Sequence, residues 1–539
     1  MVTSKHPLIS KTGVDIMRKG GNAVDAAVAA AFVDCVVEPA MNGIGGEGIM
    51  AIHMVDGRNA IIDYVGRPSK NCTPDMYELL GDSESGWMGW KAVKDNANVE
   101  GYKASTVPGT VAGLTRALEL YGTMELKEVM EPAIKIAEEG FIVGWWTASH
   151  ILMKMQAFSR FPEWKKIFLK EGKYPYQPYS YALRNSPDIL INKDLAKSLR
   201  LIANEGSEAF YKGEIAEAIA KDMAENDGLI TKQDLEMYKP IVLDSTPGSY
   251  RGYNVIYDPS HAGTTLMEIL NILEGFELAK NGFGSLEHLH VMAEAIGLAY
   301  ADRFEYMGDP GFVEVPPRGM ASKEYAKVLQ GRINFVKALD INYGNPWPYE
   351  ECTTALTVVD KDRNTVAINQ TLVNNFGSGV VIPRTGIVLN NAMYGLNPEP
   401  GYANSISGRK RRIQNVCPTI LLRDDKPFMA VGAPGGRAIQ ISIVQTIVHV
   451  IDFGMDVQTA IEAPRITREV SETQVDSRFS KEICEKLREM GHQIAYLDKE
   501  LDMYLWARPV GIVIDPKTNL LYGGVEWNHN GFESEAIGY

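Results

Sequence analysis

The chain has 539 residues, long enough for one very large domain or several ordinary ones. Hydrophobic residues make up 45 % and charged residues 23 %, which are the proportions of a globular protein rather than a disordered one. The net charge of −14 argues against a general nucleic-acid or anionic-membrane binder, because attraction to phosphates requires a basic surface. No stretch approaches the roughly 20 apolar residues that a membrane helix needs.

The start of the chain shows no export signal, because charged side chains such as Lys5, Lys11 and Arg18 interrupt any apolar run. The five cysteines are odd in number and widely scattered, so they predict neither a disulfide framework nor a metal-ligand cluster. We therefore expect a cytoplasmic protein with no membrane and no nucleic-acid partner.

The hydrophobic pattern predicts a mixture of helices and strands. Residues 1–40 and 109–140 show helical periodicity, and Asp56-Gly57 between two apolar runs predicts a β-hairpin. Residues 145–185 are aromatic and show no regular period. Further helical patterns cover 194–201, 215–223, 265–278 and 439–450. The polar, proline-containing stretch 340–351 predicts an exposed connection. The predicted fold class is α+β, with helices packed on sheets in a layered sandwich.

Two motifs suggest cofactors and have simpler explanations. Gly43, Gly45 and Gly48 have the G-x-G-x-x-G spacing of dinucleotide-binding loops, but a strand pattern follows them where a nucleotide site needs a helix. A glycine-rich turn is the favoured interpretation. His288 and His290 point to different sides of a helix, and no third ligand is near in the sequence. We therefore predict an ordinary helix surface there and no metal.

Two runs with strand composition, 353–359 and 365–371, flank the turn sequence 360–364. A hairpin centred on Asp362 places Thr353 opposite Thr371, with Cβ atoms about 5 Å apart. Two hydroxyl groups then meet at one strand end. A threonine pair on a solvated sheet face is the alternative to a catalytic pair, and spacing alone favours that alternative.

A second feature follows the apolar run 428–431, where Gly435 and Gly436 precede a long helical pattern. Adjacent glycines at a helix N-terminus leave backbone N–H groups free, and the helix dipole favours negative charge there. Such donors suit an oxyanion. They equally suit a tight strand-to-helix turn.

Several short segments, in order along nearly the whole chain, resemble the gamma-glutamyltranspeptidases of the N-terminal-nucleophile hydrolase superfamily. The matching segments are 20–27, 43–46, 107–113, 234–235 with Tyr238, 250–253, 353–354, 376–379, 390–391, 418–419 and 432–436. Ordered matches in this number are specific for the superfamily and less specific for the substrate.

The resemblance implies a four-layer αββα sandwich, made as one inactive precursor that cuts itself before a threonine. The matching bond joins Cys352 to Thr353. Cleavage divides the chain into a large segment, 1–352, and a small segment, 353–539, that carries the nucleophile. Residues 340–352 form the exposed tail before the cut, and the two segments stay associated as one αββα unit.

The same resemblance implies the roles of the catalytic residues. Thr353 is the nucleophile, and its new α-amino group serves as its base. Thr371 matches a second threonine that hydrogen-bonds the nucleophile, and Gly435 and Gly436 match the glycines of the oxyanion hole. This mechanism needs neither a metal nor an organic cofactor.

The positions that bind the substrate carboxylate in this family differ here. Tyr64 occupies the position of an arginine, with Arg67 three residues further on, and Gln414 and Asn415 replace a pair of serines. We predict substrate-binding roles for Arg67, Gln414 and Asn415. Arg411 and Arg412 are reserve cations, that is, alternatives to Arg67 for binding the substrate carboxylate.

The remaining differences indicate a more open site. Val373, Ala392 and Gly395 replace the polar side chains that hold the α-amino group, Ala355 replaces a histidine, and the lid segment 402–410 is short. A more open site suits a bulky acyl donor, such as a γ-glutamyl peptide, a poly-γ-glutamate end or a glutaryl amide.

The predicted function is that of an autoprocessing threonine-nucleophile amidohydrolase or acyltransferase resembling gamma-glutamyltransferase. It acts through an acyl-Thr353 intermediate on γ-glutamyl or similar carboxylate-bearing acyl amides. The alternative is a relative that neither cleaves itself nor catalyses, and that serves as a binding or structural protein. A dinucleotide-dependent oxidoreductase is disfavoured by the strand pattern after Gly48.

Overall fold

The computed structural model describes residues 1–81, 90–179, 184, 186–244, 247–346, 357–469, 471–497, 506–526 and 534–538. The strands, in chain order, are β1 (Val2–Ser4), β2 (Glu47–His53), β3 (Asn59–Tyr64), β4 (Phe141–Ile142), β5 (Leu169–Lys170), β6 (Tyr174–Pro175), β7 (Ile189–Leu190), β8 (Ile241–Asp244), β9 (Gly248–Tyr250), β10 (Tyr253–Ile256), β11 (Val358–Val359), β12 (Thr365–Thr371), β13 (Val381–Ile382), β14 (Ile387–Val388), β15 (Thr419–Arg423), β16 (Lys426–Gly432), β17 (Ile466–Thr467), β18 (Glu472–Asp476), β19 (Gln493–Leu497), β20 (Val510–Ile514), β21 (Leu521–Val525) and β22 (Glu535–Ile537).

The helices are α1 (Pro7–Arg18), α2 (Ala23–Val37), α3 (Thr110–Tyr121), α4 (Leu126–Glu139), α5 (Trp145–Phe158), α6 (Pro162–Phe168), α7 (Lys193–Glu205), α8 (Glu208–Tyr211), α9 (Glu214–Glu225), α10 (Lys232–Glu236), α11 (Ala262–Glu274), α12 (Leu286–Tyr306), α13 (Pro317–Met320), α14 (Lys323–Gln330), α15 (Ala438–Ile451), α16 (Val457–Glu462) and α17 (Lys481–Glu489). Within the described ranges, none of these helices combines the length and the apolar character needed to cross a lipid bilayer.

Two large antiparallel sheets carry the architecture. The first has the order β22-β1-β11-β12-β2-β3-β8, and the second has the order β21-β20-β16-β15-β10-β9. Strand β12 contacts β15 and β16, so the two sheets pack face to face. Helices α2 and α3 pack on the first sheet, and α11 and α15 pack on the second. The fold is therefore a mixed α+β arrangement.

Strand β2 shows how the two cores are divided. Met50 and Ile52 join the core between the first sheet and its helices, whereas Ile49 and Ala51 join the core that includes the second sheet. Successive side chains of a strand point to opposite faces, so both faces of β2 are covered. This explains why β2 has an almost continuous apolar sequence.

Helix α2 begins where the sequence supplies a strong N-terminal cap. The Asn22 side chain accepts hydrogen bonds from the backbone N–H of Val24 at 2.8 Å and of Asp25 at 3.0 Å, and the Asn22 N–H donates to Asp25 Oδ2 at 2.8 Å. This capping box satisfies otherwise unpaired donors of the first turn. Beyond it, the Ala/Val-rich helix is buried on nearly every side, which positions it under the first sheet.

The hairpin predicted at Asp56-Gly57 is confirmed, since β2 and β3 pair on either side of it. The glycine-rich segment 43–48 leads into strand β2 rather than a helix. The prediction of an irregular region over 145–185 was wrong for α5 and α6. Helix α5 combines the buried Trp146 and Ile151 with the exposed Trp145 and Leu152, and this scatter of apolar residues hid its period.

The connection before the predicted cleavage bond is described as far as residue 346. Residues 340–346 form neither helix nor strand, and Asn342, Tyr343 and Asn345 are exposed. Gly344 is nevertheless held against α12, because its N–H donates to Asp302 Oδ1 at 2.6 Å and its carbonyl accepts from the Tyr306 hydroxyl at 2.7 Å.

Candidate active site

A cavity of about 540 Å³ lies where the end of β12, the loop after β16 and one face of α2 meet. Its lining brings together five of the predicted site residues, namely Thr371, Gln414, Asn415, Gly435 and Gly436. Arg67 is not among the residues that line this cavity. It forms an isolated antiparallel bridge with Val107 instead.

Thr371 is the last residue of β12, and it pairs with Glu47 of the neighbouring strand β2. Its Oγ1 accepts a hydrogen bond from the Val373 N–H at 2.8 Å. Val373 has a φ of +83°, which is rare for a β-branched residue. The strained residue thus holds the Thr371 hydroxyl oxygen at the cavity wall.

Cys352 and Thr353 lie outside the described residues. The adjoining part of their hairpin is described, and it pairs Val358 with Val366 and Val359 with Thr365. Both pairs are symmetric about Asp362, which is the register that the sequence predicts. The same register, continued toward the start of the hairpin, would bring Thr353 opposite Thr371, and that placement stays a prediction.

The loop after β16 turns through two glycines with positive φ, +143° at Gly435 and +60° at Gly436. A Cβ atom on Gly435 would lie 2.3 Å from Ala507 Cα, so no side chain fits there. The carbonyl groups of the loop are fastened from both sides. Asn369 Nδ2 donates to Ala433 O at 2.9 Å, and the Arg508 N–H donates to Pro434 O at 2.9 Å.

The N–H groups of Gly435 and Gly436 donate to no other group in the described part of the chain. Both residues line the cavity, and helix α15 begins shortly after them. Free N–H groups near a helix N-terminus are suited to stabilise a negative oxygen. The loop therefore has the chemical features of an oxyanion hole.

Gln414 and Asn415 form a fixed polar floor. Gln414 Nε2 donates to Glu47 Oε1 at 2.6 Å, and Gln414 Oε1 accepts from the Asn415 N–H at 2.9 Å. Asn415 Oδ1 accepts from Arg303 Nη2 at 2.8 Å. Both side chains are therefore held by hydrogen bonds to neighbouring protein groups.

The two reserve cations are already paired with buried carboxylates. Arg411 contacts Asp63 and also donates to Asp309 Oδ1 at 2.9 Å. Arg412 Nε donates to Glu47 Oε1 at 2.9 Å. Arg412 lines the cavity together with Lys154 and Arg508, and the Arg508 guanidinium lies 4.4 Å from the centroid of the Trp146 ring. Sequence reasoning missed Lys154 and Arg508, and no spacing signal could have linked them.

Glu47→Gln is expected to lower the free energy of unfolding by about 3 kcal/mol, because it leaves the buried Arg412 without its carboxylate. Urea unfolding of both proteins measures the difference. Glu163→Gln is the matched control, since its ion pair with Lys166 is partly exposed and is expected to matter by less than about 1 kcal/mol. Equal effects of the two substitutions would contradict the assignment of Arg412 and Glu47 as a buried pair.

Comparison with known proteins then decides the family. The sequence profile described as Gamma-glutamyltranspeptidase matches residues 9–533. The chain belongs to the gamma-glutamyltranspeptidase family. The family resemblance predicted from the short motifs is thereby confirmed, and the chain is an enzyme of this family.

The relatives of this gamma-glutamyltranspeptidase family member include hydrolases and acylases. A glutathione hydrolase proenzyme of Escherichia coli (strain K12) is 39% identical over 515 residues, which cover 92% of this chain and 86% of the relative. The acylase ACY 1 proenzyme of Pseudomonas sp. (strain SE83) is 38% identical over 496 residues, which cover 92% of this chain and 87% of the relative. The crystal structure of a cephalosporin acylase from Bacillus halodurans matches with a TM-score of 0.86 at 28% identity, covering 100% of this chain and 96% of that one.

Two carboxyl groups at the C-terminal end of α2, those of Asp34 and of the C-cap residue Glu38, also line the cavity of this family member. Burial raises the pKa of Asp34 to about 6, opposed by hydrogen bonds that its carboxylate accepts from Gln370 and Asn42. Burial likewise raises the pKa of Glu38 to about 7, opposed by the nearby His6 and Lys5. Glu38 Oε2 accepts a hydrogen bond from Trp146 Nε1 at 3.1 Å.

Glu38 is expected to make stability depend on pH. The folded protein keeps the Glu38 proton up to about pH 7, whereas the unfolded chain loses it near the ordinary pKa of 4.5. Its contribution is therefore largest below pH 4.5 and is lost as the pH rises to 7, by about 3 kcal/mol. Glu38→Gln keeps the acceptor for Trp146 and cannot ionise. Its melting temperature, relative to wild type, should be higher at pH 8 than at pH 5, and a pH-independent difference would contradict this.

In the described part of the chain, one group of side chains has a spacing suited to a metal ion. His290, Glu294 and His492 bring their ligand atoms within 4.8 Å of one another. His290 Nδ1 and His492 Nε2 lie 2.8 Å apart, and Arg468 Nη1 donates to Glu294 Oε1 at 2.7 Å. A guanidinium on that oxygen disfavours a second cation there. We assign the group as a buried polar contact between residues before and after Cys352. His288 is not part of it, and because both His288 and His290 are buried, the prediction of a helix surface at these residues was wrong.

Proposed function

We propose that this family member is an autoprocessing threonine-nucleophile amidohydrolase or acyltransferase that works through an acyl-Thr353 intermediate. The observation that carries the proposal is the meeting of Thr371, at the end of β12, with the free N–H groups of Gly435 and Gly436 in one cavity. The hairpin register about Asp362 supports a position for Thr353 opposite Thr371.

In the proposed precursor reaction, Thr353 Oγ attacks the carbonyl carbon of Cys352. The C–N bond breaks as the C–O bond forms, the nitrogen takes the hydroxyl proton, and an ester remains. Water then hydrolyses the ester, which frees the Cys352 carboxylate and the Thr353 hydroxyl. Asn342, Tyr343 and Asn345, before the proposed cut, are exposed, while Gly344 keeps this stretch bound to α12.

In the proposed catalytic cycle, the free α-amino group of Thr353 takes the proton from its own Oγ, which overcomes the weak nucleophilicity of a threonine hydroxyl. Oγ attacks the acyl carbonyl carbon, and Gly435 and Gly436 donate hydrogen bonds to the oxyanion. The α-ammonium returns the proton to the leaving amine. Water completes hydrolysis, whereas an amine completes acyl transfer. Thr371 Oγ1 accepts from Val373, which leaves the Thr371 hydroxyl proton available for donation to Thr353 Oγ.

The fold that we propose for this mechanism is the four-layer αββα sandwich. The packing of the two sheets on each other supports it, with α2 and α3 on one outer face and α11 and α15 on the other. The catalytic groups then lie between the two sheets, where Thr371 comes from the first sheet and the glycine loop follows a strand of the second.

The proposed substrate is an acyl amide whose acyl group carries a carboxylate. Lys154, Arg412 and Arg508 give the cavity lining cationic groups beside the carboxyl groups of Asp34 and Glu38, whose pKa values are raised, and the rings of Trp146 and Trp506 add apolar surface. Charge complementarity favours a carboxylate, and the aromatic wall favours a donor bulkier than a single amino acid. Arg67 is not part of this proposal, because it does not line the cavity.

The substrate class is tested with 4-nitroanilides of three acyl groups. The γ-glutamyl and glutaryl compounds carry a carboxylate, and the pentanoyl compound matches glutaryl in length without one. We expect kcat/KM at least tenfold higher for the first two. An equal kcat/KM for the pentanoyl and glutaryl compounds would show that the enzyme does not recognise the substrate carboxylate. No hydrolysis of any compound by a chain that also stays uncut would favour the non-catalytic binding protein.

A further inference from the structure

Asn369 occupies an unusual position in the cavity. It lies two residues before Thr371 on β12, so the two side chains share the face that looks toward the second sheet. Asn369 lines the cavity and is 8% exposed. Its neighbour on the same face, Ala367, belongs to the apolar core.

The two polar atoms of the Asn369 amide have different surroundings. Nδ2 donates to Ala433 O at 2.9 Å and so ties β12 to the loop that carries Gly435 and Gly436. Oδ1 is buried and accepts no hydrogen bond from any group in the described residues. A buried acceptor of this kind can be satisfied by a donor that a bound molecule supplies.

The reacting groups define which donor is missing. In the proposed mechanism Gly435 and Gly436 hold the acyl oxygen, and Thr371 holds the attacking Thr353 Oγ. An amide substrate brings one further polar group to the reacting centre, its N–H. That group is a donor, and Asn369 Oδ1 is an acceptor on the same wall.

We propose that Asn369 is a substrate-positioning residue that accepts a hydrogen bond from the N–H of the scissile amide. Its Nδ2 at the same time fixes the glycine loop through Ala433. This inference rests on the proposed function, since it needs a scissile amide. It adds a residue that the sequence motifs did not indicate.

The test compares a 4-nitroanilide with the 4-nitrophenyl ester of the same acyl group, because the ester lacks the N–H. Asn369→Ala removes both contacts. We expect it to lower kcat/KM on both compounds through the loosened loop, and about tenfold more on the anilide than on the ester. Equal losses on the two compounds would overturn the proposal.

Asn369→Asp separates the two roles, because it keeps an acceptor oxygen and loses the donor to Ala433. It should slow both compounds by similar factors, so that the anilide-to-ester ratio stays near the wild-type ratio. A ratio as low as that of Asn369→Ala would also overturn the proposal. Asn254→Ala, which removes a contact with Asp425 outside the cavity, is the control and should leave the ratio unchanged.

The failure of this inference is distinguishable from the failure of the proposed function. If wild type hydrolyses neither compound and stays one chain, the proposed function itself has failed. If wild type hydrolyses both and the variants do not change the ratio, only the role of Asn369 is wrong. Mass spectrometry that detects the two cleavage fragments of each variant shows that the variant has folded.

Discussion

Thr353→Ala is expected to remain a single chain of 59.5 kDa, whereas wild type separates into fragments of 352 and 187 residues. Scaled by length, these fragments have masses of about 39 and 21 kDa. The reason is that cleavage needs the Thr353 hydroxyl as nucleophile, and alanine has none. Intact-protein mass spectrometry under denaturing conditions gives the answer directly.

The control for this experiment is Thr354→Ala, which changes the adjacent threonine and keeps the proposed nucleophile. We expect it to cut at the same bond. Amide hydrolysis should fall below detection in Thr353→Ala. If Thr353→Ala is still cleaved before residue 353, Thr353 is not the nucleophile of the cleavage. If wild type stays uncut, the protein does not process itself.

The second large effect is expected from Gly435→Ala. Its φ of +143° disfavours any side chain, and the new Cβ would lie 2.3 Å from Ala507 Cα. The loop must therefore shift, which takes the N–H groups of Gly435 and Gly436 away from the oxyanion position. We expect kcat to fall by roughly 10²- to 10³-fold, the loss that follows removal of an oxyanion donor. Steady-state hydrolysis of the γ-glutamyl anilide measures it.

Gly57→Ala is the matched control for backbone strain. Gly57 also has a positive φ, +89°, but a Cβ there meets nothing within 4 Å, and it lies in the β2–β3 turn. Its activity should stay within about twofold of wild type, while its stability falls by about 1–2 kcal/mol. If Gly435→Ala keeps more than a tenth of the wild-type kcat, the glycine loop is not the oxyanion hole.

The hairpins and the glycine loop were predictable because their signals are local. Asp56-Gly57 marks its turn with residues that tolerate positive φ, and the symmetry about Asp362 follows from two strand-like runs of equal length. The helical pattern over 1–40 predicted α1 and α2, but not strand β1 at Val2–Ser4 or the break that separates the two helices. In each predicted case the residues that decide the structure are neighbours in the sequence.

The surroundings of the site were not predictable, because they depend on distant residues. Nothing in the sequence brings Arg412 to Glu47, or Arg508 to Trp146, yet the first contact pairs an arginine with a carboxylate and the second places a guanidinium at the cavity. Arg67 was chosen by its closeness in sequence to a family position, and the structure does not bring it to the cavity. The His290–His492 contact was not predicted for the same reason, since 202 positions separate the two residues.

Both large sheets contain strands from each side of the bond between Cys352 and Thr353. In the first sheet, β1 from the beginning of the chain lies between β11 and β22 from the later part, and in the second sheet β10 pairs with β15. Neither segment could keep a sheet intact if the other left. After cleavage, the two segments would therefore not exchange between molecules. Although one covalent bond is lost, they would unfold and be degraded together.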